Sequence, residues 1–124
     1  MTKMASARPT IPGADKAQPC AHFAAIRPVE PGTDGCEDCM AIGASWNELR
    51  VCLTCGHVGC CDDSQHTHAR VHHQTTGHPM IASYERGETW GWCYVDARYF
   101  DPMPGPLPQR RSKLATLLRR LFRR

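Results

Sequence analysis

The sequence predicts a small α+β domain, a short antiparallel sheet with one main helix, held together by cysteine and histidine side chains more than by an apolar core. Three observations lead there. The chain has 124 residues, with eight cysteines and seven histidines among them. Its central part carries only two phenylalanines, three tyrosines and three tryptophans, a thin supply for a domain that size to close on its own. Short β-branched and aromatic runs, punctuated by Gly and Pro, surround one segment with helical signals.

Residues 1–17 hold Pro9, Pro12 and Gly13 without apolar periodicity and are expected to be disordered. The domain is expected over 18–100. It opens on Cys20-Ala-His22 and a loop with Pro28, Pro31, Gly32 and Gly35. Cys36-Glu-Asp-Cys39 starts a short helical turn running on through 40–44. Residues 48–53 (ELRVCL) have strand character, Cys52 to Gly56 make a tight turn, and 58–60 pairs back as a second strand. Asp62, Asp63 and Ser64 are N-cap residue types, and the helix is expected over 65–75 with Gly77 just past its end. His68 and His72 then share one helical face. Strands are expected over 80–84 and 89–95, with a turn at 85–88 between them. The run 101–109 (DPMPGPLPQ) reads as a Pro-rich linker. In 110–124, Leu114, Leu117, Leu118, Leu121 and Phe122 fall on one face of a separate, basic amphipathic helix.

Charge divides the chain in two. Eight basic and twelve acidic residues precede position 110, a formal −4, whereas 110–124 holds seven basic residues and no acid, +7. A mildly acidic domain argues against a nucleic-acid footprint on its surface. The tail suits an anionic membrane surface or a nucleic acid. The opening MTKMASARPT lacks the apolar core of a signal peptide, and no run approaches a membrane span, so a reducing cytoplasm is expected, with peripheral membrane contact through the tail.

In such a compartment paired cysteines serve metals more often than disulfides, and disulfides have no use for interleaved histidines. Zinc takes four tetrahedral Cys or His donors, often as half-sites a few residues apart. The chain supplies Cys20/His22, Cys36/Cys39, Cys52/Cys55, His68/His72, and Cys93 with Asp96. Zinc is therefore the expected cofactor.

The ordered run Cys20-x-His22, Cys36-x-x-Cys39, Val51-Cys-Leu-Thr-Cys55, Val58-Gly-Cys60, His68-x-x-x-His72, Gly77-His78-Pro79 and Trp92-Cys93-Tyr94 resembles the UBP-type zinc finger of ubiquitin-specific proteases and of a ubiquitin-binding histone deacetylase. CCDDS and WCYVD are similar to the compact, free-standing bacterial branch of that family. The resemblance implies cross-braced sites: Cys36, Cys39, Cys60 and His68; Cys52, Cys55, His72 and His78; and Cys20, His22, Cys93 and residue 96. The three-zinc members carry cysteine at the last position. Asp96 stands there in this chain, so two to three ions are expected. Family spacing counted forward from Cys55 selects Cys60, and counted back from His68 selects Cys61; the forward count is preferred. His57, His66 and His73 are left over and expected to be solvated.

No catalytic pattern accompanies the donors. There is no HExxH pairing and no recognisable nucleophile setting, so the chain is not expected to be an enzyme. The resemblance implies a pocket for the free Gly-Gly tail of ubiquitin, with an aromatic wall and a carboxylate-binding arginine. Trp92 and Tyr94 stand where the aromatics are expected, with packing across a thin core as their competing role. Where the ubiquitin-binding members place arginine, this chain has Asp62 after Cys61, and an aspartate there repels a carboxylate. Arg50 replaces a tryptophan on a different wall and offers a bidentate guanidinium. The expected function is a monomeric zinc-binding module for a protein or peptide ligand other than the ubiquitin tail. Ubiquitin-like tail binding, and membrane or nucleic-acid tethering through 110–124, are the alternatives.

Overall fold

The computed structural model describes residues 19–104, 107, 108 and 121. The expected N-terminal segment 1–17 and, Leu121 apart, the expected helix over 110–124 lie outside them.

A 3-10 turn at Ala21–Ala25 leads to helix α1 (Glu37–Ile42), strands β1 (Leu49–Cys52) and β2 (Val58–Cys60), helix α2 (His68–Thr76), and strands β3 (Met80–Ser83), β4 (Gly91–Cys93) and β5 (Arg98–Phe100). The strands form one antiparallel sheet in the order β2-β1-β3-β4-β5. Side chains alternate across a pleated strand, so register sorts the residues into two faces. Leu49, Val51, Val58, Cys60, Met80, Ala82, Cys93 and Phe100 fall on one face and are buried. Phe23, Ile26 and Trp46 cover it from the N-terminal side. Arg50, Gly59, Ile81, Trp92 and Tyr99 fall on the other face.

Helix α2 rests on this second face at Gly59. A Cβ there would come within 2.7 Å of the Ala69 backbone nitrogen, so the approach of helix to strand requires glycine. Gly56 closes the tight turn at φ 86°, where a Cβ would lie 2.4 Å from the Glu30 carbonyl oxygen.

Three details differ from the sequence expectation. Helix α2 begins at His68, three residues late, after Thr67 in the left-handed region at φ 48°. Ser64 does not cap it, because its buried hydroxyl accepts from the Asn47 N–H at 2.9 Å. The His68 N–H instead donates to Cys60 Sγ at 3.1 Å. Strand β5 was not anticipated; three residues after a turn are too few for a period. The packed core also reaches past residue 100: Met103 is buried, and its N–H donates to the Thr89 carbonyl at 2.8 Å. Among the described residues no helix is long and apolar enough to cross a membrane.

Candidate metal centres and binding pocket

Turns and helix ends deliver the donors in pairs or singly, and the fold brings them together. His68 and His72, offered by the spacing as one half-site, go to different clusters, because each of the two zinc-knuckle cysteine pairs meets a different turn of the helix. Cys36 caps α1 and Cys39 lies one turn on, while Cys60 ends β2 and His68 opens α2. Their donor atoms lie within 4.8 Å of one another. Cys36, Cys39 and Cys60 sulfurs stand 3.4, 3.3 and 3.6 Å from His68 Nδ1, and the Cys39 and Cys60 sulfurs are 3.9 Å apart. The second cluster gathers Cys52 at the end of β1, Cys55 in the turn, His72 on α2 and His78 just beyond it. Here Cys55 Sγ is 3.3 Å from His72 Nε2, Cys52 Sγ is 3.4 Å from His78 Nδ1, and the two ring nitrogens are 3.3 Å apart. The third cluster joins Cys20 and His22 to Cys93 and Asp96. His22 Nδ1 lies 3.5 Å from Cys93 Sγ and 3.1 Å from Asp96 Oδ2.

These separations can be tested against the ion they would hold. Tetrahedral zinc with bonds of about 2.3 Å to sulfur and about 2.05 Å to nitrogen has edges of about 3.8 Å (S–S), 3.6 Å (S–N) and 3.3 Å (N–N). The donor sets match those edges. Burial is deepest in the first cluster, and each of the other two carries one exposed donor, Cys55 and Asp96. Cys36, Cys39 and Cys60 are fully buried, whereas the His22 and Asp96 side chains are 31% and 35% exposed. Burial pushes the Cys39 and Cys20 thiols up to about 12, and raises Cys36 and Cys52 as well. Each of these four sulfurs therefore holds its proton until a cation takes its place. Burial, followed by the neighbouring His57 and His78, lowers His72 to about 4, so its ring is neutral and free to ligate at neutral pH.

Strand alternation separates the two adjacent cysteines. Cys60 points to the core face and joins the first cluster, whereas Cys61 follows on the opposite face and lines a cavity. Burial raises the Cys61 thiol, but the Ser64 hydroxyl, nearby backbone and Arg50 outweigh that, and its net shift is downward. None of the three leftover histidines is a solvated bystander: His66 stacks on His68 of the first cluster with ring centroids 5.3 Å apart. His57 lies flat against His72, and His73 Nδ1 stands 2.8 Å from the His78 carbonyl oxygen. His57 and His73 therefore touch the second cluster. Their nearness to ligands in sequence gave no signal, because side-chain direction decides the contact.

Arg50, Trp92 and Tyr94, the expected pocket residues, line one open cavity of about 300 Å³ on the sheet face opposite the core. Trp92 and Tyr94 are half-buried and lie outside the apolar core cluster, so packing does not absorb them. The structure adds Trp90, Tyr99 and Arg70 to the walls and Ile81 to the floor. The Arg50 side chain is 12% exposed; its guanidinium lies 4.5 Å over the Trp90 ring and donates to Glu48 at 3.2 Å. Arg70 forks onto the Asp62 carboxylate, with Nε at 3.1 Å, and stands 5.5 Å over Tyr94. His73 stacks on the same tyrosine at 4.7 Å.

Three four-donor Cys/His-rich clusters bracing a five-stranded sheet and one main helix define a zinc-finger domain. A family model described as the Zn-finger in ubiquitin-hydrolases and other protein matches residues 36–103, and the chain belongs to that family. It is also similar to a protein from Rhodopseudomonas palustris solved by solution NMR, at 53% identity and a TM-score of 0.63 over 74% of this chain and 96% of that one. Comparison with curated proteins found no match. The chain is thus a zinc-binding module with places for two to three zinc ions.

Proposed function

We propose that the three clusters are structural zinc sites and that the folded domain is a non-catalytic adaptor, which binds a segment of a partner protein in the aromatic pocket. The observation that carries this reading is the gathering of Arg50, Trp92 and Tyr94 with further aromatics around one open cavity. The four-donor sets leave no coordination position for a substrate. The pocket is matched in charge: Arg50 is paired with Glu48, and Arg70 with Asp62. An incoming terminal carboxylate must displace an aspartate or glutamate and then face Asp63 at the rim. A desolvated carboxylate without its own partner costs several kcal/mol. The reading therefore favours an internal segment, or a neutral or basic tail, over the Gly-Gly end of ubiquitin. Calorimetric titration with ubiquitin and with a peptide ending in Arg-Gly-Gly tests it. Weak or absent binding is expected. Tight, carboxylate-dependent binding abolished by Arg50→Ala overturns it, and makes Arg50 the anion site. Capture of a lysate protein by the full chain, lost on Trp92→Ala with zinc content intact, is the positive result.

A second reading concerns the tail alone. Seven basic residues and no acid accompany its apolar positions, and Leu121 is helical and 65% exposed. Apolar positions spaced for one helical face among arginines suit an anionic bilayer better than a nucleic acid, which offers nothing to bury leucine.

A further inference from the structure

His57 and Asp38 are not among the twelve donors, yet they join two of the clusters. His57 follows the Cys52–Gly56 turn, and its carbonyl accepts from the Cys52 N–H at 2.8 Å. Asp38 sits on α1 between Cys36 and Cys39. His57 Nε2 and Asp38 Oδ2 are 2.9 Å apart, with the His57 side chain 15% exposed. The same imidazole lies against His72 with ring centroids 4.1 Å apart and planes within 2°.

We propose that His57, anchored by Asp38, is a positioning residue for the second zinc centre, holding the plane of the His72 ring in which Nε2 faces Cys55 and His78. The inference rests on the zinc assignment given above. An imidazole torsion is broad, so the rotamer alone does not fix the plane in which the ligating nitrogen meets the ion. A flat neighbouring ring narrows that torsion. Zinc draws electron density from His72, while a carboxylate on the His57 N–H pushes density into His57; rings of opposite polarity favour the face-to-face arrangement that like rings avoid. Metal-bound histidines are commonly oriented by a carboxylate or carbonyl on their second nitrogen. Here the carboxylate acts one ring further out. Because Asp38 stands between two donors of the first cluster, the contact also ties the second centre to the segment that builds the first.

The test uses the full chain loaded with zinc, as wild type, His57→Ala, His57→Phe and Asp38→Asn. Zinc transfer to a chromophoric chelator gives the release rate of each ion, and long-range proton–nitrogen correlation of the histidine rings reports which nitrogen is bound. His57→Ala is expected to speed the release of one ion by about ten- to a hundredfold and to weaken the metal-bound signal of His72 Nε2. Asp38→Asn should act on the same ion in the same direction, by less. His57→Phe, which keeps a flat ring, should recover most of the wild-type rate. Rates for His57→Ala within about twofold of wild type, or equal acceleration of every ion, overturn the proposal. If His57→Ala does not fold, Asp38→Asn at the wild-type rate overturns it. A wild-type His72 without a metal-bound nitrogen overturns the ligand assignment, and this inference with it.

Discussion

Replacing Asp96 by alanine removes one donor from the third centre and leaves the other two centres untouched. Its Oδ2 lies 3.1 Å from His22 Nδ1, on an exposed edge of that cluster. Structural zinc contributes about 10–16 kcal/mol through four donors, which assigns on the order of 3 kcal/mol to each. That is roughly a hundredfold in affinity. Water can enter at an edge where the Asp96 side chain is 35% exposed, so the loss should fall toward the lower end. The centre pins Cys20 and His22 to the end of β4, beside the contact of Phe23 with Phe100 at 5.0 Å. Loosening it by even about 1 kcal/mol should lower Tm by about 4–8 °C in a domain of this size. The assay is elemental analysis of the full chain equilibrated against buffered free zinc, beside a thermal melt. Asp96→Ala should lose up to one ion and several degrees, while Asp96→Cys should keep or tighten the site. An unchanged zinc count and melt for Asp96→Ala would refute the assignment of Asp96 as a ligand.

Removal of all zinc by a strong chelator should unfold the domain cooperatively, because so thin an apolar core does not offset chain entropy; a near-UV aromatic signal that survives chelation would show otherwise. Acidification should release zinc. Zinc entry expels protons from thiols that burial raises, and His72, lowered to about 4 from 6.5, resists protonation only until the pH falls through that window. Stability should therefore rise with pH between about 4 and 6.5, and heats of zinc binding in buffers of different ionisation enthalpy should reveal proton release. Gly59→Ala should destabilise by about 1–3 kcal/mol, since both sides of the contact are backbone; a denaturant midpoint equal to wild type would contradict the close approach. Truncation at Gln109 should abolish salt-sensitive binding to vesicles containing anionic lipid, and equal binding by the truncated chain would remove the membrane role of the tail.

The half-sites were legible because their geometry is local. Two cysteines three positions apart in a turn face one way whatever surrounds them, whereas the two histidines four apart on the helix divide, His68 to the first cluster and His72 to the second. Strands β1 to β4 were legible from short apolar and β-branched runs, and the end of α2 from Gly77. The start of α2 was not, because Ser64 is drawn to Asn47 and a cysteine sulfur takes the first helical N–H. Which half-sites pair was readable only through the family resemblance.

Composition and spacing alone thus determined a metal-stapled domain, its cysteine-containing donor pairs and a tail of opposite charge. Tertiary structure decided between Cys60 and Cys61, since one step along a strand turns a side chain to the other face. It set Arg70 from α2 and Tyr99 from β5 beside Arg50 and Trp92, residues far apart in the chain. It also laid His57 on His72 and against Asp38. Such contacts join segments whose separation carries no period, so only the packing of helix on sheet brings them within reach.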